Sequence, residues 1–358
     1  MATSFKALNN NDVTRAQTKL HEAIPITGTI LSGTYGGFPA GTNIKNYSHG
    51  MFQSVYDYPY LSSSANHIID LTAGFASNTA LVGSKAIGMT LKNKKNDVYG
   101  ELSQMLAGYD TTGSINKLDV SGNFSAASGP TRMNEVFVVN FARLLTKDEI
   151  QKQANGFTMT LGVSSSFQHA FRKTMNVYDI NGPNAKTNSP AGEFNILFAT
   201  SSHGSGRANN RPCGLIFYQA GIAVITSSVF KSDFVENCAM DAAGLNVDRL
   251  LVTGSISGSA DALRHRIQNI SFNNTTELNS SIYFCRANNS EFNYSSNPTY
   301  LSSSQIRVKT LSTDNPVSYV TSVGLYSEDN ALLAVAKVSE PIKKTPAEEY
   351  TLRVRLDY

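Results

Sequence analysis

Tyr350-Thr-Leu-Arg-Val-Arg-Leu-Asp-Tyr358 decides the fold class. Tyr350, Leu352, Val354, Leu356 and Tyr358 fall on one side, and Thr351, Arg353, Arg355 and Asp357 on the other. Strict alternation of this kind is the period-two pattern of a strand with one buried face. Working back, Ser318-Tyr-Val-Thr-Ser-Val-Gly-Leu-Tyr326 and Ala331-Leu-Leu-Ala-Val-Ala-Lys337 flank the polar Ser327-Glu-Asp-Asn330. Two β-rich runs around a polar turn predict a hairpin. The expectation is a C-terminus locked into a sheet.

The same signals recur upstream. Strands are expected at His67–Ala73, Val136–Ala142, Phe157–Gly162 and Phe194–Ala199, and a buried hairpin over Gly214–Thr226. Later strands follow at Ile267–Phe272, Ser281–Arg286 and Ile306–Lys309. Short spacing between strands and turns suits a sandwich. The fold class expected is mainly β, with β-sandwich-like modules and a few short helices, α+β at the margin.

Three helices are expected. Residues 12–22 place Val13, Ala16 and Leu20 on one helical face, with Pro25 as a stop. Asp97–Ala107 carries an apolar stripe of Val98, Leu102, Met105 and Leu106, with Asn96 as a cap and Gly108 as a stop. Thr146-Lys-Asp-Glu149 reads as a capping box before Ile150. The domain division that results is an N-terminal helical arm over 1–23, a β-rich body over 24–240 with a helix-containing insertion near 84–155, and a C-terminal sandwich-like domain over 241–358. Tyr60-Leu-Ser-Ser-Ser64 recurs at 300–304, from two related β-modules or from chance in a Ser-rich chain, and chance is the preferred reading.

Composition narrows function. Charged residues make up 16% of the 358 residues and the net charge is +3, too mild for a nucleic-acid track. The short basic clusters, Lys92 with Lys94-Lys95 and Lys343-Lys344, read as solvated loops. Cys213, Cys238 and Cys285 lie far apart without a CxxC pair, so reduced, mostly buried thiols are expected rather than zinc. The N-terminus has no apolar signal core, and the most apolar run is too short to cross a bilayer as a helix. The many Asn-x-Ser/Thr sequons are therefore expected to be unmodified.

No phosphate loop, nucleophile elbow or HExxH appears. The six histidines lack metal-ligand spacing. His67 with Asp70, and His169 with Asp179, could be drawn as acid/base pairs, but a strand histidine usually makes one local hydrogen bond. Neither catalytic, cofactor-binding nor metal residues are assigned. Aromatic and amide side chains over Phe292–Tyr300 could line a sugar groove, a reading ranked below assembly. The interface candidates are Val13, Ala16 and Leu20, the aromatic loop residues Tyr47, Phe52, Tyr56, Tyr58 and Tyr60, and Phe292, Tyr294 and Tyr300.

Several phrases resemble virion structural proteins of contractile-tailed bacteriophages, notably marine and cyanobacterial ones. They are Phe52-Gln-Ser-Val-Tyr-Asp-Tyr-Pro-Tyr-Leu-Ser-Ser-Ser-Ala-Asn-His67, Asn140-Phe-Ala-Arg-Leu-Leu-Thr-Lys-Asp-Glu-Ile150, Phe272-Asn-Asn-Thr-Thr-Glu-Leu-Asn279, and the closing Val323-Gly-Leu-Tyr326 to Tyr358. The resemblance covers most of the chain and contains no catalytic motif. It implies a tail or baseplate component of the virion, made in the host cytoplasm and not secreted. Its implied partners are other tail and baseplate proteins and copies of itself in three-fold or six-fold assemblies, with no nucleic acid, membrane or cofactor. A receptor-binding or fibre-attachment module, a capsid or neck decoration protein, and a glycan hydrolase are the alternatives, in that order.

Overall fold

A computed structural model describes residues 5–26, 41–83, 89–142, 149–201, 210–295, 301–302, 305–306, 311 and 313–358. Its strands are β1 (Val13–Ile26), β2 (Ile44–Asn46), β3 (Gln53–Tyr56), β4 (His67–Phe75), β5 (Glu135–Asn140), β6 (Glu149–Ile150), β7 (Phe157–Gly162), β8 (Thr174–Asp179), β9 (Phe194–Ser201), β10 (Arg211–Phe217), β11 (Ile222–Thr226), β12 (Ile267–Ala287), β13 (Leu301–Ser302), β14 (Gln305–Ile306), β15 (Ser318–Tyr326), β16 (Leu332–Lys344) and β17 (Tyr350–Asp357). The helices among the described residues are α1 (Met89–Ala107), α2 (Val247–Thr253) and α3 (Ile256–Arg266). The fold is mainly β, as the alternating and apolar runs predict.

Two compact units divide the chain. Leu20–Thr276 forms one, and Met1–Lys19 with Glu277–Tyr358 the other. The expected boundaries at 23/24 and 240/241 thus give way to 19/20 and 276/277, and β1 and β12 each run from one unit into the other.

In the larger unit the strands follow the order β12-β7-β8-β9-β10-β11-β5-β4-β3-β2, antiparallel at each step. This sheet rolls up. β5 lies five steps from β7, or about 24 Å in a flat sheet. Yet Phe141, just past β5, has its ring 5.7 Å from Phe157 of β7 and 5.2 Å from Phe272 of β12. The Ile150 N–H also donates to the Tyr218 carbonyl at 3.0 Å, while β6 pairs with β12. The facing walls of the core are therefore one sheet folded over itself, where the sequence suggested separate sandwich layers.

Both faces of the roll are buried, which explains the near-continuous apolar runs. Phe137, Val139, Ala223 and Ile225 point into the main core, with α2 and α3 residues Leu250, Leu251, Ala260 and Leu263. Val136, Val138, Leu215, Phe217 and Val224 point the other way and pack with Tyr99 and Leu106 of α1. At Gly74 a Cβ would sit 2.8 Å from the Lys95 carbonyl, so a glycine lets α1 lie directly on β4.

The helix α1 starts eight residues before the expected Asp97, so Asn96 lies inside it and is no cap. Its end at Gly108, in left-handed backbone at φ +72°, matches the stop signal. Lys95 is fully buried and donates to the Leu251 and Gly254 carbonyls. It crowns the end of α2, and burial pushes its ammonium down to about 8. Helices α2 and α3 begin at Asn246 and Ser255, whose side chains accept from Arg249 N and Gly258 N at 2.9 Å.

Two expected helices are overturned. Residues 13–26 form strand β1, next to β12 in the sheet. Asp12 pairs with Arg286 at 3.0 Å and His21 meets Thr275 at 3.1 Å, so β1 and β12 run antiparallel. Three apolar residues in eleven are too few to hold a helix when a long strand offers its edge. Val13 and the pair Ala16 and Leu20 then belong to opposite faces. Glu149 and Ile150, expected in a helix, are the buried two-residue strand β6, while 143–148 lie outside the described residues.

In the smaller unit β17 pairs along Ser280–Ala287 of β12. Val354 is buried and Tyr350, Leu352 and Leu356 half-buried, opposite exposed Thr351, Arg353, Arg355 and Asp357, so the quoted alternation holds except at the exposed Tyr358. β15 and β16 form the expected hairpin as a two-stranded sheet, longer in its second strand than the sequence suggested. The expected strands at 267–272 and 281–286 are one continuous strand, β12. The second Tyr-Leu-Ser-Ser-Ser, at 300–304, lies mostly outside the described residues.

Candidate interface surfaces

The aromatic loop lies at the β2–β3 end of the large sheet. Ile44 anchors β2 in the core, and the chain then returns through Gln53–Tyr56 to pair with β4. Gln53 holds the turn from below: its Nε2 donates to Asn46 Oδ1 at 2.9 Å and to Asp261 Oδ1 of α3 at 2.8 Å. Above it the rings collect. Tyr47 stacks on His49 at 5.1 Å and meets Phe52 at 4.8 Å, with Lys45 Nζ 4.8 Å over the Tyr47 ring. Tyr56 lies 6.3 Å from Tyr60 and 5.2 Å from His67. Tyr47, Phe52 and Tyr56 are half-buried; Tyr58, Tyr60 and Leu61 are exposed, Leu61 at 87%. The sequence candidates thus fall into two ring clusters, Tyr47 with Phe52 and Tyr56 with Tyr60, with Tyr58 exposed nearby in the chain.

The other candidates belong to different places. Ala16 and Leu20 are exposed on β1 and Val13 is half-buried there. Phe292 and Tyr294 are exposed in the smaller unit, at 44% and 50%, and Tyr300 lies outside the described residues. The amides next to Phe292 are occupied. Lys344, fully buried, donates to Asn293 Oδ1 at 2.8 Å, Thr345 O at 2.9 Å and Asn289 O at 3.3 Å. Lys95 and Lys344, both read as solvated, are instead internal ties; Lys343 is exposed as expected.

The two histidine pairs divide. His67 Nε2 lies 2.7 Å from Asp70 Oδ1, and Ser54 Oγ donates to the same oxygen, with Tyr47 Oη 3.2 Å from that hydroxyl. The carboxylate stands between serine and histidine, so the imidazole has no hydroxyl to deprotonate, and Ser54 is fully buried. His169 is exposed, and Asp179 is held elsewhere, by the Tyr218 hydroxyl and the Asn181 N–H. Burial pushes the Cys238 thiol up to about 11 and raises Cys213 and Cys285 as well, the opposite of an activated nucleophile. Among the described residues no group of His, Cys, Asp and Glu could hold a metal, and no helix is long and apolar enough to cross a membrane.

Asp179 has a measurable consequence. Burial inside the roll pushes its carboxyl up to about 6, against hydrogen bonds that favour the anion. The folded protein therefore holds this proton more tightly than the unfolded chain. Its contribution is complete below about pH 4 and is lost as pH rises through about 6. Asp179→Asn removes the titration while keeping an acceptor for Asn181. Urea unfolding at pH 4.5 and 7.5 should show the variant gaining on the wild type by about 2 kcal/mol at the higher pH. An equal difference at both pH values would contradict this.

Sequence reasoning missed the sparsest core in the molecule. In the smaller unit, Ala287 and Val354 are the buried apolar side chains among the described residues. Others are half-buried, and five large ones are exposed: Tyr319 at 49%, Tyr326 45%, Leu332 54%, Leu333 69% and Val335 55%. The low charge and high Ser/Val/Tyr content of 317–338 are the signal that could have found this surface. The class that these features define is a mainly β protein with a rolled antiparallel sheet and an under-filled second unit. No family model matches the chain, and neither a curated protein nor a solved structure does.

Proposed function

We propose that this chain is a structural subunit of a bacteriophage virion, most readily placed in the tail baseplate, and that it acts through packing contacts rather than chemistry. The observation that carries this is the smaller unit, which buries two apolar side chains among its described residues and leaves five large ones of its hairpin open. Folding must offset about 1–2 kcal/mol of backbone entropy per ordered residue. Apolar burial returns about 25 cal/mol per Å². A unit with so small a core needs the surface of a neighbour, and contiguous exposed apolar groups mark such contacts. The exposed Tyr58, Tyr60 and Leu61 supply a second contact of the same character in the larger unit.

The sequence resemblance supplies the virion context, and the partners follow from it: other tail and baseplate proteins and copies of the chain in three-fold or six-fold arrangement. A receptor-binding or fibre-attachment role is the second reading, favoured by exposed Tyr58, Tyr60 and Leu61 in one loop. The N-terminal segment is no detachable arm on either reading. Deleting residues 1–23 would strip most of β1 from β12 and open a long edge. The test is quantitative mass spectrometry of purified particles from the phage that encodes the chain. Recovery at the abundance of known tail proteins is expected, and absence from particles would refute the proposal.

A further inference from the structure

The β15–β16 hairpin is two ladders joined by a break. Ser318, Tyr319 and Val320 pair with Lys344, Lys343 and Ile342, and pairing resumes only at Ser322 with Lys337. Two steps along β15 match five along β16, so the surplus bulges out within residues 338–341, where Pro341 has no N–H to offer a ladder. The inner ladder is fixed. Ser318 and Lys344 are buried; Ser318 Oγ donates to the Phe292 carbonyl at 2.5 Å, and Lys344 to Asn293 Oδ1 at 2.8 Å. The outer ladder, residues 322–326 with 332–337, contains no buried side chain. Val323, Leu325, Ala334 and Ala336 are half-buried on one face, while Gly324, Tyr326, Leu332 and Val335 are exposed on the other. The Tyr326 ring and Leu332 lie together over Gly324, 2.9 and 3.5 Å from where its Cβ would be.

The N-terminal segment grips both sides of the break. Lys6 Nζ pairs with Glu291 Oε2 at 2.5 Å, and Glu291 is followed by Phe292, whose carbonyl holds the inner ladder. Phe5 sets its ring 4.8 Å from that of Tyr326 on the outer ladder. Both contacts are on the surface, with Phe5 48% and Tyr326 45% exposed. Asp12, buried and paired with Arg286, anchors the segment further along. We infer that the outer ladder is an arm hinged at residues 338–341 and latched by Phe5. The two halves are held differently: buried side-chain bonds on one side of the break, surface contacts on the other. A bulge interrupts the hydrogen bonds that would make the ribbon one rigid strip, and such points absorb hinge motion. A single surface ring pair shifts a two-state balance by about two- to ten-fold, enough to bias the arm and too little to lock it. Release takes Phe5 off Tyr326 and frees the face that carries Tyr326, Leu332 and Val335. The inference deepens the assembly reading and rests on it for its purpose: exposure of one apolar face depends on the N-terminal segment.

The test uses the full chain with Cys285→Ser, which leaves only the two buried thiols, and spin labels on Asp329→Cys at the hairpin tip and Arg353→Cys on β17. Double electron–electron resonance is expected to give one main distance and a minor second one. Phe5→Ser should raise the second population about two- to ten-fold, and Lys6→Glu, which sets two carboxylates together, should raise it as well. Deleting residues 339–341 restores a continuous register, with Val338 opposite Thr321, and should abolish the second distance even beside Phe5→Ser. Equal distance distributions with and without Phe5→Ser overturn the latch, and a second distance that survives the deletion overturns the hinge. Phe5 and Lys6 are on the surface, so neither substitution depends on rebuilding a core. Particle composition is measured separately: a rigid arm leaves the virion reading standing, and absence from particles leaves the hinge standing.

Discussion

Arg266→Met is expected to cost about 3–5 kcal/mol of unfolding free energy, the range seen when a buried charged group loses its place in a bonded network. Arg266 closes α3 and is fully buried. Its guanidinium donates to the Gly162 carbonyl at 3.1 Å, the Ser164 carbonyl at 2.7 Å, and the Ala239 carbonyl. One side chain thus ties the end of β7, the loop that follows it, and the segment before α2. Methionine fills much of the volume and removes the desolvation of the charge, but leaves those carbonyls facing apolar surface. Arg266→Lys should recover only part of the loss, because a single ammonium cannot reproduce the planar fork. Urea denaturation with an unchanged slope measures both. A loss below about 1 kcal/mol for the methionine variant would show that the carbonyls find other partners.

Phe157→Ala is expected to cost about 3–5 kcal/mol as well, by a different route. Phe157 is fully buried on β7, and its ring meets Phe141 at 5.7 Å and Phe272 at 6.2 Å. These rings close the roll, because Phe141 follows the strand that is five steps away along the sheet. An alanine there opens a void at the seam and cannot be repaired by a local shift of one strand. Phe157→Leu, which keeps most of the volume, should cost less than half as much. Equal losses for the two variants would mean that ring contacts at the seam contribute more than filled volume.

The strands were the legible part. Val136–Ala142 and Phe157–Gly162 are runs too short for helices, Gly214–Thr226 is broken by Gln219 and Gly221 into two strands, and Tyr350–Leu356 alternates, so local pattern and tertiary role agree. Residues 12–22 failed for the complementary reason. The helical spacing of Val13, Ala16 and Leu20 is real, but the edge of β12 outweighs a weak local preference. Helices α2 and α3 went unseen although Asn246 and Ser255 are good caps, because most of α3 is buried, Asp261, Arg264 and Arg266 included, and so shows no polar face. Lys95 and Lys344 were unreadable in principle. A lysine that crowns a helix end or a turn looks like any surface lysine until the carbonyls around it are placed.

The candidate surfaces divided along the same line. The rings of Tyr47–Tyr60 could be gathered from sequence because they are adjacent in the chain. The shortage of core in the smaller unit could not, because a side chain's exposure depends on everything that fails to cover it. That shortage, rather than any cluster of reactive groups, is what the proposed assembly role rests on: the hairpin of β15 and β16 leaves five large apolar side chains exposed.

The most direct test is the composition of purified particles. Quantitative mass spectrometry should recover this chain as a stoichiometric tail component, its copy number a multiple of three or six. Particles that lack the chain, or carry it only at the trace level of host proteins, would contradict the account.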